Sequence, residues 1–156
     1  MKKTIYQVSQ ETMMLCPALR PEGGTKVVEM ESTLLVDLEP KQIMEAGCLD
    51  GGSTLEGRAG AIRWRFRYKQ RTPILVRERD ALLLFPTHGE AKWENHWINP
   101  RLVAAQEPSE RRGTSRLRFV NGAVHEVPVS SQTMEHQLYR AHSILSSLFA
   151  DRPPVT

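Results

Sequence analysis

The sequence predicts an α+β fold: a single domain, mainly antiparallel β-sheet, with a mid-chain helix and a C-terminal helix. Three observations predict it. Short β-rich runs recur between turn signals along most of the chain. Asn121-Gly122 separates two alternating segments, a strong hairpin signal. Apolar residues fall at helical spacing after Pro40 and again from Met134 to Leu148. At 156 residues the chain can bury a sizeable core in one domain. Residues 1–150 are assigned to that domain and 151–156 to a short tail.

The elements follow in order. Residues 4–8 and 12–16 read as short strands, and Pro21-Glu22-Gly23-Gly24 as a turn. Residues 25–30 and 33–37 are two further β-rich runs. Pro40 suits the first turn of a helix that places Ile43, Met44 and Gly47 on one face. The five glycines from Gly47 to Gly60 predict a loop or a broken helix end. Residues 62–69 then read Ile-Arg-Trp-Arg-Phe-Arg-Tyr-Lys. As a strand, this octet has one cationic face (Arg63, Arg65, Arg67, Lys69) and one apolar face. Ile62, Trp64, Phe66 and Tyr68 would anchor that strand in the core.

Residues 73–76 and 81–85 predict a hairpin around Glu78-Arg79-Asp80. Residues 97–105 read as a strand in which Pro100 argues for an edge position or a bulge, and 106–113 as a polar loop. Residues 116–120 and 123–129 flank Asn121-Gly122, a pair suited to a type I′ turn. Ser130 or Ser131 can cap the last helix. Its stripe of Met134, Leu138, Ala141, Leu145 and Leu148 serves either as core or as a dimer seam.

Charge is the functional signal. The chain carries a formal net charge of +3. Between Arg58 and Arg79, eight basic residues stand against Glu78 alone, whereas the rest of the chain has more acids than bases. Four like charges in series repel one another unless a polyanion meets them, and a nucleic-acid backbone is the commonest polyanion. A bland edge strand guarded by charge is the rival reading.

Other chemistry is scarce. Residues 52–59 approach a P-loop, but Arg58 stands where lysine is needed and Ala59 where a hydroxyl must hold magnesium. The segment is expected instead to be a flexible turn whose amides and Arg58 touch a phosphate. His88, His96, His125, His136 and His142 show no paired metal spacing. Glu94 and His96 could meet as an acid–base pair, but such pairs arise by chance. Cys16 and Cys48 suit reduced, buried thiols. No signal peptide and no run of about 18 apolar residues is present. The expectation is a cytoplasmic, nucleoid-associated protein, not an enzyme, with no cofactor, no metal and no membrane partner.

Several stretches in order resemble the ComK family of bacterial competence transcription factors. They are Leu34 to Asp37 with Pro40 and Gln42-Ile43, then Gly57-Arg58, then Arg71 with Pro73-Ile74. Leu84-Phe85-Pro86-Thr87, Trp97-Ile98, Phe119 with Asn121-Gly122, Pro128 with Ser130, and Gln137 with Tyr139-Arg140 follow. Together they span residues 28–148. The resemblance implies an activator of DNA-uptake genes that binds paired A-rich and T-rich boxes, largely through the minor groove, as a dimer or dimer of dimers. Arginine suits that groove, whose potential is enhanced over A-tracts. Longer members of the family carry a C-terminal extension where this chain ends. That difference suggests a paralogue that binds DNA but activates weakly, or modulates a longer relative.

The reading is a duplex-DNA-binding regulator that uses a basic β-strand and an adjacent Gly-Arg loop. Arg58, Arg63, Arg65, Arg67 and Lys69 supply the main charge. Arg71, Arg77, Arg79, Arg116 and Arg118 complete the candidate DNA-binding set. Further partners are RNA polymerase or a regulatory adaptor. Two alternatives stand beside it: a single-stranded nucleic-acid binder with outward aromatics, and a module that docks an acidic protein.

Overall fold

The computed structural model describes residues 4–150. Its elements are β1 (Thr12–Pro17), β2 (Thr25–Glu29), β3 (Thr33–Val36), α1 (Pro40–Asp50), α2 (Leu55–Phe66), β4 (Ile74–Arg77) and β5 (Leu82–Pro86). They continue with β6 (Trp97–Ile98), a 3-10 turn (Pro100–Leu102), β7 (Val103–Pro108), β8 (Ser115–Phe119), β9 (Val124–Val127) and α3 (Ser131–Phe149). Six strands form one antiparallel sheet in the order β3-β2-β1-β6-β5-β4, and β7-β8-β9 form a second. The class is α+β. Among the described residues, no helix is long and apolar enough to cross a membrane.

The central strands of the larger sheet are buried on both faces. Alternate side chains of a strand point to opposite sides. Leu15, Val27, Ile74, Val76, Leu82, Leu84 and Trp97 join Ile43, Met44 and Cys48 of α1 and Leu55 and Ala59 of α2 in one core. Met14, Cys16, Val28, Leu75, Leu83, Phe85 and Ile98 join Leu117, Phe119 and Val127 of the small sheet and Met134, Ala141, Ile144 and Leu145 of α3 in the other. Strand β5, with its run Leu82-Leu83-Leu84-Phe85, is apolar throughout because it has no solvent face. The stripe of α3 is therefore core.

Helix α1 begins as expected. Pro40 opens it, the Glu39 amide donates to Gln42 Oε1 (2.8 Å), and Ile43, Met44 and Gly47 are buried. Gly47 belongs to the helix, where an added Cβ would stand 3.0 Å from a Val76 methyl. Gly51 closes it, and a Cβ there would meet the Val76 carbonyl oxygen at 2.5 Å.

The main correction concerns residues 62–69. The predicted strand is the end of a second mid-chain helix, α2, so the described residues form three α-helices rather than two. Thr54 caps α2 by accepting from the Gly57 amide (2.9 Å), and Arg67 ends it in the left-handed conformation (φ 63°). Leu55, Ala59, Ile62 and Phe66 recur at four, three and four residues, which is helical spacing. Ile62 and Phe66 satisfy both a period of two and a period of four, so alternation within the octet could not decide. The longer window fits a helix, and the burial of Ile62 and Phe66 against residues distant in the chain makes the choice. Trp64 is consequently 77% exposed instead of buried. Phe66 and Tyr68 are half-buried and stack on each other at 5.7 Å.

Smaller corrections follow. Residues 4–8 form no strand, although Tyr6 and Val8 are buried. The predicted strand 97–105 breaks at a 3-10 turn begun by Pro100, where the chain leaves one sheet for the other. Strand β7 extends to Pro108, into the predicted polar loop. The β8–β9 hairpin forms as expected, but Gly122 alone has positive φ (88°), and Phe119 and Ala123 close the loop through N–H···O of 2.8 Å. That is a three-residue loop ending in a left-handed glycine, not a type I′ turn.

Gly60 tests the helix. A Cβ there meets nothing within 4 Å. Gly60→Ala is expected to raise stability to urea by about 0.5–1 kcal/mol, because alanine loses less backbone freedom in a helix interior. A strand or loop at this position predicts no gain.

Candidate nucleic-acid interface

Helix α2 starts against one core and ends against the other: Leu55 and Ala59 pack with α1, whereas Ile62 packs with α3. It passes β4, the edge strand of the large sheet. Its last turn and the segment leading to β4 therefore emerge beside α3. Arg63 and Arg65 lie in that last turn, where cations oppose the negative end of the helix dipole. Arg67, Lys69 and Arg71 follow in the connecting segment, and Arg71 also adopts positive φ (50°).

Arg63, Arg65, Arg67, Lys69 and Arg71 form no ion pair with any described carboxylate. Arg63 Nε donates to Thr72 Oγ1 at 3.2 Å, and Arg65 leans over the Phe66 ring at 5.9 Å. Trp64 stands exposed between them. The octet is thus a concentrated cationic surface, but one made of a helix end and a loop instead of a strand.

The other predicted cations separate from it. Arg58 folds back on the C-terminus of α1, where Nη2 donates to the Gly51 carbonyl at 3.0 Å. The P-loop-like stretch is a capped helix start, with the Gly57 amide already taken by Thr54. Arg77 is bidentate to Asp80 at 2.7 and 2.8 Å. That hydrogen bond raises the Arg77 pKa and lowers that of Asp80. Arg79 lies exposed on the β4–β5 turn. Arg116 bonds Glu107 at 3.2 Å and faces Glu126 across the β8–β9 ladder. Arg118 is exposed on β8.

Two residues outside the predicted set complete the cationic region. Gln137 of α3 is buried and donates through Nε2 to the Arg71 carbonyl (2.9 Å) and the Pro86 carbonyl (2.8 Å). Its Oε1 accepts from Arg140 Nη1 at 2.7 Å. Arg140 is only 7% exposed and lies over the Tyr68 ring at 4.1 Å. Burial lowers its pKa from the ordinary arginine value, and the nearby Tyr68 opposes that shift. A sequence signal existed: Gln137 and Arg140 lie three residues on from Met134 and Gln137 respectively, on the face of α3 that otherwise holds core residues.

His96 Nδ1 pairs with the backbone oxygen of Glu94 (2.8 Å), not with its carboxylate. Burial lowers the pKa of His88, His96 and His125. Among the described residues, no three metal-ligating side chains cluster. Cys16 and Cys48 are free and buried, and burial pushes both thiols up to about 11.

The family model described as ComK protein matches residues 3–152. A curated competence transcription factor from Bacillus subtilis (strain 168) is 28% identical over 148 residues, covering 94% of this chain and 76% of that relative. No solved structure matches the chain.

Gln137→Leu keeps the side-chain volume but removes three hydrogen bonds. It is expected to destabilise the protein by roughly 1–3 kcal/mol for each buried group left unpaired. Urea unfolding measures this, and an unchanged midpoint would show that the amide does not hold the 66–72 segment.

Proposed function

The chain belongs to the ComK family, and from that premise we propose that it is a duplex-DNA-binding transcription regulator of competence genes. The observation that carries this reading is the run of unpaired cations from Arg63 to Arg71 on one exposed helix end and loop. Phosphates neutralise such a run and release counterions, which supplies affinity. The similar Bacillus subtilis protein is named a competence transcription factor. Paired A-rich and T-rich boxes are the proposed sites, with a dimer or dimer of dimers spanning them. Arg63, Arg65, Arg67, Lys69 and Arg71 carry the contact. Arg58 and Arg77 serve the fold, while Arg79, Arg116 and Arg118 are peripheral.

Exposed Trp64 among the cations favours a second reading, in which its indole stacks on an unpaired base. Strong quenching of tryptophan fluorescence by single strands, with little by duplex, would support that reading over the first. The fluorescence of buried Trp97 is common to both titrations.

The duplex reading is tested by fluorescence anisotropy at two salt concentrations. One duplex carries the boxes and the other is a GC-rich scramble. The box duplex is expected to bind at least about tenfold tighter near physiological salt. Arg65→Ala should weaken binding to both and lower the salt slope by about 1, whereas Arg77→Ala should leave the slope unchanged. Equal, salt-labile binding to both duplexes would sink the sequence-preferring regulator.

A further inference from the structure

A cleft lies between the 67–71 segment and the first half of α3, lined by Arg67, Lys69, Arg71, Gln132, His136 and Arg140. We infer that this cleft is a seat for one phosphate group, with Arg140 as its buried charge. The ligand class is a tetrahedral phosphate oxyanion, supplied either by a DNA phosphodiester or by a small phosphate-bearing molecule.

A guanidinium taken out of water needs a partner, and a carboxylate is the usual one. Arg140 has none among the described residues. It has the Tyr68 ring on one side and a single hydrogen bond, from Nη1 to Gln137. Its Nε is buried with no acceptor among the described residues, and Nη2 makes no hydrogen bond to them either. A structural arginine would be expected to spend its donors on the protein. This one lines the cleft and is held in place by two neighbours, with its remaining donors left uncommitted.

The surroundings suit an anion. Lys69, Arg67 and Arg71 add positive charge, and the lining contains no acidic residue. Gln132 and Thr133 belong to the first turn of α3, whose dipole favours negative charge. The Ser130 hydroxyl takes the Thr133 amide, and no acceptor among the described residues takes the amides of Ser131 and Gln132. The Gln137 amide fixes the opposite wall by gripping the Arg71 carbonyl. The site is thus built before an anion arrives.

Gln132→Glu tests the seat. Gln132 is exposed, and a carboxylate in the first turn of a helix is favourable to folding. Ser147→Glu, on the same helix but outside the cleft, controls for added negative charge. Two measurements are made on each protein: the thermal midpoint when phosphate replaces chloride at matched ionic strength, and the salt slope of duplex binding. The wild type and the Ser147 variant should gain about 3 °C in phosphate, and Gln132→Glu should lose that gain.

If the occupant is a DNA phosphodiester, Gln132→Glu also lowers the duplex salt slope by about 1. This arm rests on the duplex reading above. If the occupant is a small phosphate-bearing molecule, Gln132→Glu loses the phosphate gain but binds duplex as the Ser147 variant does. The seat is overturned if Gln132→Glu matches the Ser147 variant in both measurements. Should the wild type bind no duplex, the regulator reading fails, and the phosphate gain still judges the cleft by itself.

Discussion

Strands β4, β5 and β6 are covered on both faces, and this requirement sets the place of the other elements. Leu83 and Phe85 need a layer on one side, Leu82 and Leu84 a layer on the other. Helices α1 and α2 supply one layer; α3 and the small sheet supply the second. The chain has only short connections with which to reach both. Helix α2 solves part of that problem by running past the β4 edge, so that Leu55 and Ile62, on one stripe of one helix, lie in different cores.

The cationic surface is a consequence of that path. The end of α2 has left the face it covers, so its side chains are free to carry charge. A single polar side chain then holds the emerging segment. Gln137 reaches from α3 to the carbonyls of Arg71 and Pro86, joining the loop, the last residue of β5 and the helix. Arg140 extends the link to Tyr68 through its guanidinium. The same contacts that position the exposed cations also place a buried one behind them. Surface charge and internal charge are therefore parts of one arrangement.

Much of the fold was legible. The β4–β5 and β8–β9 hairpins, the Pro40 entry to α1 and the long amphipathic α3 all follow from local pattern. In each, local preference and tertiary burial point the same way. The candidate site was legible in composition but not in form. The excess of basic residues between Arg58 and Arg79 is real, yet only Arg63 to Arg71 make one unpaired surface. Arg58 and Arg77 differ from them through Gly51 and Asp80, partners whose nearness no spacing rule announces for the first and only a three-residue separation hints for the second.

The sequence by itself determined the fold class, the order of most elements and the presence of a concentrated positive segment. These depend on periodicity, turn chemistry and net charge, which are local properties. The tertiary structure alone decided that residues 62–66 are helical, that Trp64 faces solvent and that Arg140 is buried with no carboxylate partner among the described residues. The reason is physical. A short alternating run fits two backbone periods equally well, and the choice between them is made by the burial that each offers to Ile62 and Phe66 against residues distant in the chain.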